Sequence, residues 1–183
     1  SILEQFFIYL DVEKLLELFA ELKSRGHTIL CIEHNLGIIS CADWIIDLGP
    51  EGGEEGGHLL KTGTPLDFIN NPEGSLTAEY LKRSFADRNT VSVSTKNLPQ
   101  PEERQILSIR GAREHNLKNI TVDIPLDKVV ALTGVSGSGK SSIAKDIIYS
   151  EGQRRYLDCL SPYARQFIKE LKNKEINYSI DII

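Results

Sequence analysis

The stretch VVALTGVSGSGKSS, residues 129–142, constrains the chain more than any other feature. It joins a short apolar run to a glycine-rich turn with the spacing Gly134-x-x-x-x-Gly139-Lys140-Ser141. Glycines let the backbone approach an anion without a Cβ in the way, and successive N–H groups then form an anion-binding nest at the start of a helix. The stretch therefore predicts a buried parallel strand, a phosphate-binding loop and a helix, in that order.

The same spacing assigns chemical roles within this phosphate loop, which we define as residues 134–141. Lys140 is expected to reach the β- and γ-phosphates of a nucleoside triphosphate, and the Ser141 hydroxyl to ligate Mg²⁺. A glycine-rich turn that matches by chance is the alternative. Ile143, Ile147 and Ile148 supply an apolar face for the helix that follows. The predicted nucleotide-binding residues are Gly134, Val135, Ser136, Gly137, Ser138, Gly139, Lys140, Ser141 and Ser142.

Charge divides the chain into two parts. Residues 1–85 carry 6 basic and 14 acidic side chains, a net of −8, whereas residues 104–183 carry 13 and 9, a net of +4. Opposite balances predict two units, and the positive balance is too small to predict nucleic-acid binding. No run reaches the roughly 18 apolar residues of a membrane span. The three cysteines, Cys31, Cys41 and Cys159, are too widely spaced for a zinc clamp and favour a reducing cytoplasm.

The first part has the pattern expected for the end of an α/β domain. A helix is predicted over Asp11–Gly26, with Asp11 as its cap and Gly26 as its stop. The strand HTILCIEH should be buried on both faces at Ile29–Ile32. A short helix (LGIISCA), a strand (DWIIDLG), a glycine-rich turn, an edge-like pair (HLLKTGTP) and helical pieces broken at Pro72 follow.

The second part begins after a segment rich in Ser, Thr, Asn and Pro, which predicts a linker. ILSIRGA and NITVDIP predict two alternating strands, ahead of the phosphate loop and its helix. GQRRYLDCLSPYARQFIKELKNK predicts a helical end with an interruption near Pro162. The two parts would each leave an apolar sheet face uncovered, so we expect that they pack together as one permuted lobe.

Several segments closely resemble the UvrA family, the damage-sensing ATPases of bacterial nucleotide excision repair, which belong to the ATP-binding-cassette class. They are RGAREHNLKNI, TGVSGSGKSS, EGQRRYLDCLSPYARQF, IEHNL and ADWIIDLGPEGGEEGG. The resemblance covers most of residues 11–85 and 106–170. It implies an α/β fold made of partial ATP-binding-cassette (P-loop NTPase) lobes, with a parallel-sheet core, helices and a small antiparallel β part. It also implies ATP and Mg²⁺ as cofactors.

The resemblance assigns the parts of the chain and one catalytic residue. Residues 1–85 match the C-terminal, switch-histidine lobe of one cassette, 86–105 a linker, and 106–183 the N-terminal, phosphate-loop lobe of a second cassette. His34 matches the switch histidine, which contacts the γ-phosphate and helps to place the attacking water. A structural histidine at a strand end is the alternative. The glycines of the turn, Gly52, Gly53, Gly56 and Gly57, are interpreted as structural rather than ligand-binding.

The chain also departs from the family pattern. SILEQFFIYL stands where the family has Asp-Glu and a proline ahead of a helix, and Gly37 stands where such proteins often have aspartate. The Walker B aspartate, catalytic glutamate, signature loop, glutamine loop, zinc-binding cysteines and inserted DNA-contacting domains are missing, and the sequence contains no Met. We therefore expect a slice of a larger protein that binds ATP without hydrolysing it by itself. Zinc is expected in the full-length family, with no ligands in this chain.

The resemblance implies a cytoplasmic DNA-repair ATPase whose full-length form binds damaged double-stranded DNA and a UvrB-like partner, and forms a homodimer. The nucleotide-binding domain of an ATP-binding-cassette transporter is one alternative, and a degenerate, non-enzymatic fragment is another. The run QRRY…SPYARQF speaks against the transporter.

Further residues have two interpretations each. His115 lies near where many cassettes place an adenine-stacking aromatic, but a histidine that caps the hairpin is the simpler explanation. Trp44 is expected in the core. A mixture of basic and aromatic side chains can bind single-stranded nucleic acid, although a core with a solvated face explains it equally. Its members are Arg154, Arg155, Tyr156, Tyr163, Arg165 and Phe167.

Overall fold

The computed structural model describes residues 2–87, 105–158 and 178–183. Its elements confirm the expected α/β class. In chain order they are α1 (Ile2–Ser24), β1 (Ile29–Ile32), α2 (Leu36–Cys41), β2 (Trp44–Gly49), a 3-10 turn (Gly53–Glu55), β3 (His58–Gly63), α3 (Pro65–Asn70), α4 (Leu76–Asp87), β4 (Ile106–Ala112), β5 (Ile120–Pro125), β6 (Val129–Gly134), a π-helical segment (Ser142–Tyr149), α5 (Ser150–Asp158) and β7 (Ser179–Ile182).

The main sheet is built from both parts of the chain. Its strand order is β1-β6-β2-β3, in which β6 runs parallel to both neighbours and β3 runs antiparallel to β2. Val130 lies opposite Leu30 on one side, and Ala131 lies opposite Ile45 on the other. The strand of the phosphate loop therefore lies between two strands from the first part of the chain. This arrangement agrees with the expected permuted lobe.

Alternation along β6 places apolar side chains on both faces of this sheet. Val130 and Leu132 face one core cluster together with Ile46, and Ala131 faces a second cluster together with Ile45. Further members of the first cluster come from the phosphate-loop helix and the second sheet: Ile143, Ile147, Ile109, Val122, Ile124 and Ile180. Further members of the second come from the helices of the first part: Phe19, Ile38, Ile39, Phe68, Ala78 and Leu81.

The second sheet is the small antiparallel part that the sequence predicts. Its order is β5-β4-β7, with antiparallel pairing throughout. Alternation in β5 buries Ile120, Val122 and Ile124 and leaves the residues between them exposed. This buried face covers the first core cluster, so the second sheet closes one side of the main sheet.

Strand β1 differs from its prediction. Ile29–Cys31 are half-buried rather than buried, and the Ile32 side chain is 39% exposed. The reason is the position of β1 at the edge of the sheet, where the described residues pair it only with β6.

Helix α1 also begins earlier than predicted, at Ile2, so Asp11 lies inside the helix and does not cap it. Its end at Gly26 is confirmed. Gly26 has φ of +78°, and the amides of Gly26 and His27 donate to the carbonyls of Lys23 and Leu22. These two hydrogen bonds, around a glycine in the left-handed conformation, form a Schellman motif.

The structure describes only part of the predicted linker and of the predicted helical end. Residues 88–104 and 159–177, which include Pro162, Cys159, Tyr163, Arg165 and Phe167, lie outside the described residues. Helix α5 confirms the helical prediction as far as Asp158. Within the described parts, no helix combines the length and the apolar character needed to cross a membrane.

Candidate nucleotide-binding site

The phosphate loop begins where β6 ends, and its glycines adopt conformations that other residues avoid. Gly134, Gly137 and Gly139 have φ of +124°, +77° and +101°. A Cβ on Gly134 would lie 2.0 Å from the Leu48 carbonyl oxygen, and one on Gly139 would lie 2.6 Å from Leu117 Cδ2. The glycines are therefore needed for both the backbone angles and the close packing of the loop.

Lys140 folds over the loop. Its residue is only 7% exposed, and its Nζ donates to the carbonyl oxygens of Gly134 at 2.9 Å and Val135 at 2.6 Å. Burial lowers the pKa of this ammonium, and the charge of Asp47 acts in the opposite direction. The Lys140 side chain therefore lies at the loop in surroundings of low dielectric, where the interaction of an ammonium group with an anion is strengthened.

Asp47 forms a buried network behind the loop. Its residue is 1% exposed, and it accepts hydrogen bonds from Ser75 Oγ (2.6 Å), Thr77 Oγ1 (3.0 Å) and Thr133 Oγ1 (2.6 Å). These bonds join β2, β6 and the start of α4. Asp47 was not among the predicted site residues, although a carboxylate inside the apolar strand DWIIDLG was a signal for it.

A cleft of about 330 Å³ lies beside the loop, and His34 and residues of the loop both line it. His34 follows β1, and the phosphate loop follows β6. Because these two strands are parallel, His34 and the loop lie at the same edge of the sheet. The His34 side chain is exposed, and among the described residues it has no hydrogen bond that would fix it in the core. The cleft is lined by Ile32, His34, Asn116, Ser136, Gly137, Gly139, Lys140, Ser141 and Ser142.

Three predicted site residues border a second cavity, of about 470 Å³. Gly134 and Val135 line it together with the buried Asp47, and His34 lies at its boundary with the first cleft. Leu60 and Tyr80 give it apolar walls. This cavity was not predicted from the sequence, because its walls come from separate segments that include α2, β2, β3 and α4.

The other candidate residues have structural contacts. His115 has φ of +53° and its Nε2 lies 3.2 Å from Asp146 Oδ2, so it connects the loop after β4 to the helical segment that follows the phosphate loop. Arg154 and Arg155 both bind Glu151, whereas Tyr156 is 67% exposed. Trp44 packs against the first core cluster, as expected. Within the described parts of the chain, no three side chains of His, Cys, Asp or Glu gather where they could hold a metal ion.

Several known proteins with similar sequences are UvrA proteins. UvrABC system protein A of Chlamydia pneumoniae is 37% identical over 158 residues, which is 85% of this chain and 8% of that protein. The protein of the same name from Thermus thermophilus is 38% identical over 152 residues, 80% of this chain and 15% of that protein. The chain belongs to the UvrA family. It spans a small part of the length of these UvrA relatives.

One solved structure is also similar in sequence to part of this chain. The crystal structure of UvrA2 from Deinococcus radiodurans is 37% identical and covers 68% of this chain and 14% of that chain, with a TM-score of 0.29. No family model matches the chain.

Proposed function

We propose that this chain is the ATP-binding part of a UvrA-like DNA damage-recognition ATPase of nucleotide excision repair. The observation that carries the proposal is the phosphate loop, where three glycines with positive φ and the buried Lys140 border a cleft at the edge of a parallel sheet. Parallel α/β sheets bind ligands at this edge. The relatives are UvrA proteins, which favours repair over the transporter alternative.

The residues of the loop fit a nucleoside triphosphate with Mg²⁺. ATP supplies the negatively charged phosphate chain, and the ammonium group of Lys140 binds it. Ser141 is exposed beside the same cleft, so its hydroxyl is available as a Mg²⁺ ligand. The glycines keep the backbone N–H groups close to the ligand, because a Cβ at Gly134 or Gly139 would collide with the surrounding chain.

His34 is proposed to contact the γ-phosphate. Its exposed imidazole borders the cleft from β1, on the side away from β2. Hydrolysis needs a positioned metal, a group that orients water and stabilisation of the transferred phosphoryl group. Residues matching the Walker B, catalytic glutamate and signature elements are absent from this sequence. We therefore propose binding of ATP without appreciable hydrolysis by these 183 residues.

The remaining functions belong to the full-length protein. We propose that it binds damaged double-stranded DNA and a UvrB-like partner, acts as a homodimer and works in the cytoplasm. We also retain the division into a switch-histidine lobe (residues 1–85), a linker (86–105) and a phosphate-loop lobe (106–183). Family membership supports these proposals.

Calorimetry with Mg²⁺-ATP tests the binding proposal. Lys140→Ala should weaken binding at least roughly tenfold, since it removes the charged partner of the phosphates. Lys145→Ala is the matched control, because Lys145 is exposed one turn further along. Phosphate release should stay at background in all three proteins. Equal binding by the wild type and Lys140→Ala would contradict the proposed site, and no binding by a folded wild type would favour the degenerate fragment.

A further inference from the structure

The glycine-rich turn of the first part lies directly on the phosphate loop. The Gly53 amide donates to the Gly137 carbonyl oxygen at 3.1 Å. Asn116 Nδ2 donates to the same oxygen at 2.8 Å and to the Gly53 carbonyl oxygen at 2.8 Å. One side-chain amide therefore joins the turn and the phosphate loop, and it comes from a third segment, between β4 and β5.

Only glycine permits the approach of these segments. A Cβ on Gly52 would lie 2.3 Å from the Ser136 carbonyl oxygen, and one on Gly57 would lie 1.8 Å from the Asn116 carbonyl oxygen. The Lys118 amide donates to the Gly57 carbonyl oxygen at 2.9 Å, which holds the backbones together. We call this assembly of residues 52–57, 116–118 and 136–139 the clasp.

We infer that Asn116 is a positioning residue for nucleotide binding, an inference that rests on the proposed function of the phosphate loop. The Gly137 carbonyl accepts two bonds from the clasp, and the next amide, Ser138 N–H, donates to the Val135 carbonyl oxygen at 3.2 Å. Both ends of the peptide between residues 137 and 138 are thereby fixed. A fixed peptide at this point sets the directions of the neighbouring loop amides before a phosphate arrives.

Through the clasp, the glycine turn contacts the phosphate loop in addition to reversing the chain direction. The turn belongs to the first part of the sequence, whereas Asn116 and the phosphate loop belong to the second. Ordering of the loop therefore depends on contacts between the two parts. Asn116 also lines the cleft, but its side-chain amide donates to the carbonyl oxygens of Gly53 and Gly137, so we assign its effect to the position of the Gly137 peptide.

Asn116→Asp tests this role because it keeps the shape of the side chain and removes its donor. A carboxylate would also place its oxygens against two carbonyl oxygens. Asn116→Ala removes the donor without that repulsion and serves if the first variant does not fold. Asn119→Asp is the matched control: Asn119 lies in the same segment and its Oδ1 accepts from Arg113 Nε, a bond that aspartate retains. Each variant is compared with the wild type well below its thermal midpoint.

Two measurements separate the outcomes. Amide hydrogen exchange of Gly53 and Ser138, followed by NMR without nucleotide, should accelerate at least about tenfold in the Asn116 variants and stay unchanged in Asn119→Asp. Mg²⁺-ATP binding should weaken roughly tenfold, as expected for the loss of two hydrogen bonds. Wild-type exchange rates, or wild-type affinity in a folded Asn116 variant, would overturn the inference. Failure of the wild type to bind Mg²⁺-ATP would instead refute the proposed function, while exchange would still test the clasp.

Discussion

Glu151 offers a quantitative test of how the second sheet is attached. Its side chain is only 8% exposed, and its oxygens accept from Arg154 Nε and Nη2 at 2.8 Å each and from Arg155 Nε at 2.7 Å. Arg155 Nη2 also donates to the Ile180 carbonyl oxygen at 2.5 Å. The carboxylate therefore orients an arginine that connects α5 to β7. Replacement by glutamine removes the charge and keeps the shape.

The size of the effect follows from the pKa. Hydrogen bonds from Arg154, then from Arg155, and their charges lower the pKa of Glu151 from 4.5 to about 2, against the opposing effect of burial. At about 1.4 kcal/mol for each pH unit, this difference corresponds to roughly 3 kcal/mol of stability. The arginine side chains are 50% and 48% exposed, so solvent screening reduces the expected value to roughly 2 kcal/mol.

The direction of the pKa shift of Glu151 determines how its contribution to stability depends on pH. A carboxylate with a lowered pKa in the folded state contributes its full stability above its unfolded pKa and loses it as the pH falls toward its folded pKa. Urea unfolding should therefore show Glu151→Gln about 2 kcal/mol less stable than the wild type at pH 7. The difference should shrink between pH 4.5 and about 2.

An exposed pair provides the control. Glu79 lies 4.0 Å from Arg83, with half or more of each side chain exposed, so Glu79→Gln should change stability by less than about 0.5 kcal/mol. Two results would refute the reasoning: a Glu151→Gln protein as stable as the wild type at pH 7, or a difference that stays constant down to pH 2.5.

Two further predictions concern a glycine of the clasp and a thiol. In urea unfolding, Gly57→Ala should destabilise the protein by at least about 2 kcal/mol more than Gly74→Ala. The two glycines have nearly the same φ, +79° and +78°, but of the two only Gly57 has no room for a Cβ. Equal losses of stability would show that the clasp can move to accommodate the added Cβ. Burial and the charge of Glu33 raise the pKa of Cys31 to about 11, so mass spectrometry should show Cys31 alkylated at least about tenfold more slowly at pH 8 than the exposed Cys41. Comparable rates would contradict the burial of Cys31.

The phosphate loop and its neighbours could be predicted because their information is local. Glycine spacing specifies the loop, and apolar residues at helical spacing specify which face of the next helix is buried, as Ile143 and Ile147 confirm. Gly26 stops α1 for a similarly local reason.

Features that depend on distant partners could not be derived in this way. The burial of β1 was overestimated because a short apolar run does not reveal whether its strand lies at the edge of a sheet. Asp47 and Asn116 were missed because their partners come from other segments: Ser75 and Thr133 for the first, and Gly53 and Gly137 for the second. The glycine turn was interpreted as structural, and its contact with the phosphate loop was not foreseen.

The position of β6 has a consequence for any ligand of the phosphate loop. The strand pairs on both sides with strands of the first part, and an ion pair reinforces its start: Asp43 accepts from the Val129 amide at 2.9 Å and from Lys23 Nζ at 2.6 Å. The clasp holds the other end. A ligand that binds only the folded loop stabilises the folded state. Since the loop is ordered by residues on both sides of 88–104, that stabilisation must extend to the first part of the chain, and ATP should protect β1 and β2 as well as the loop itself.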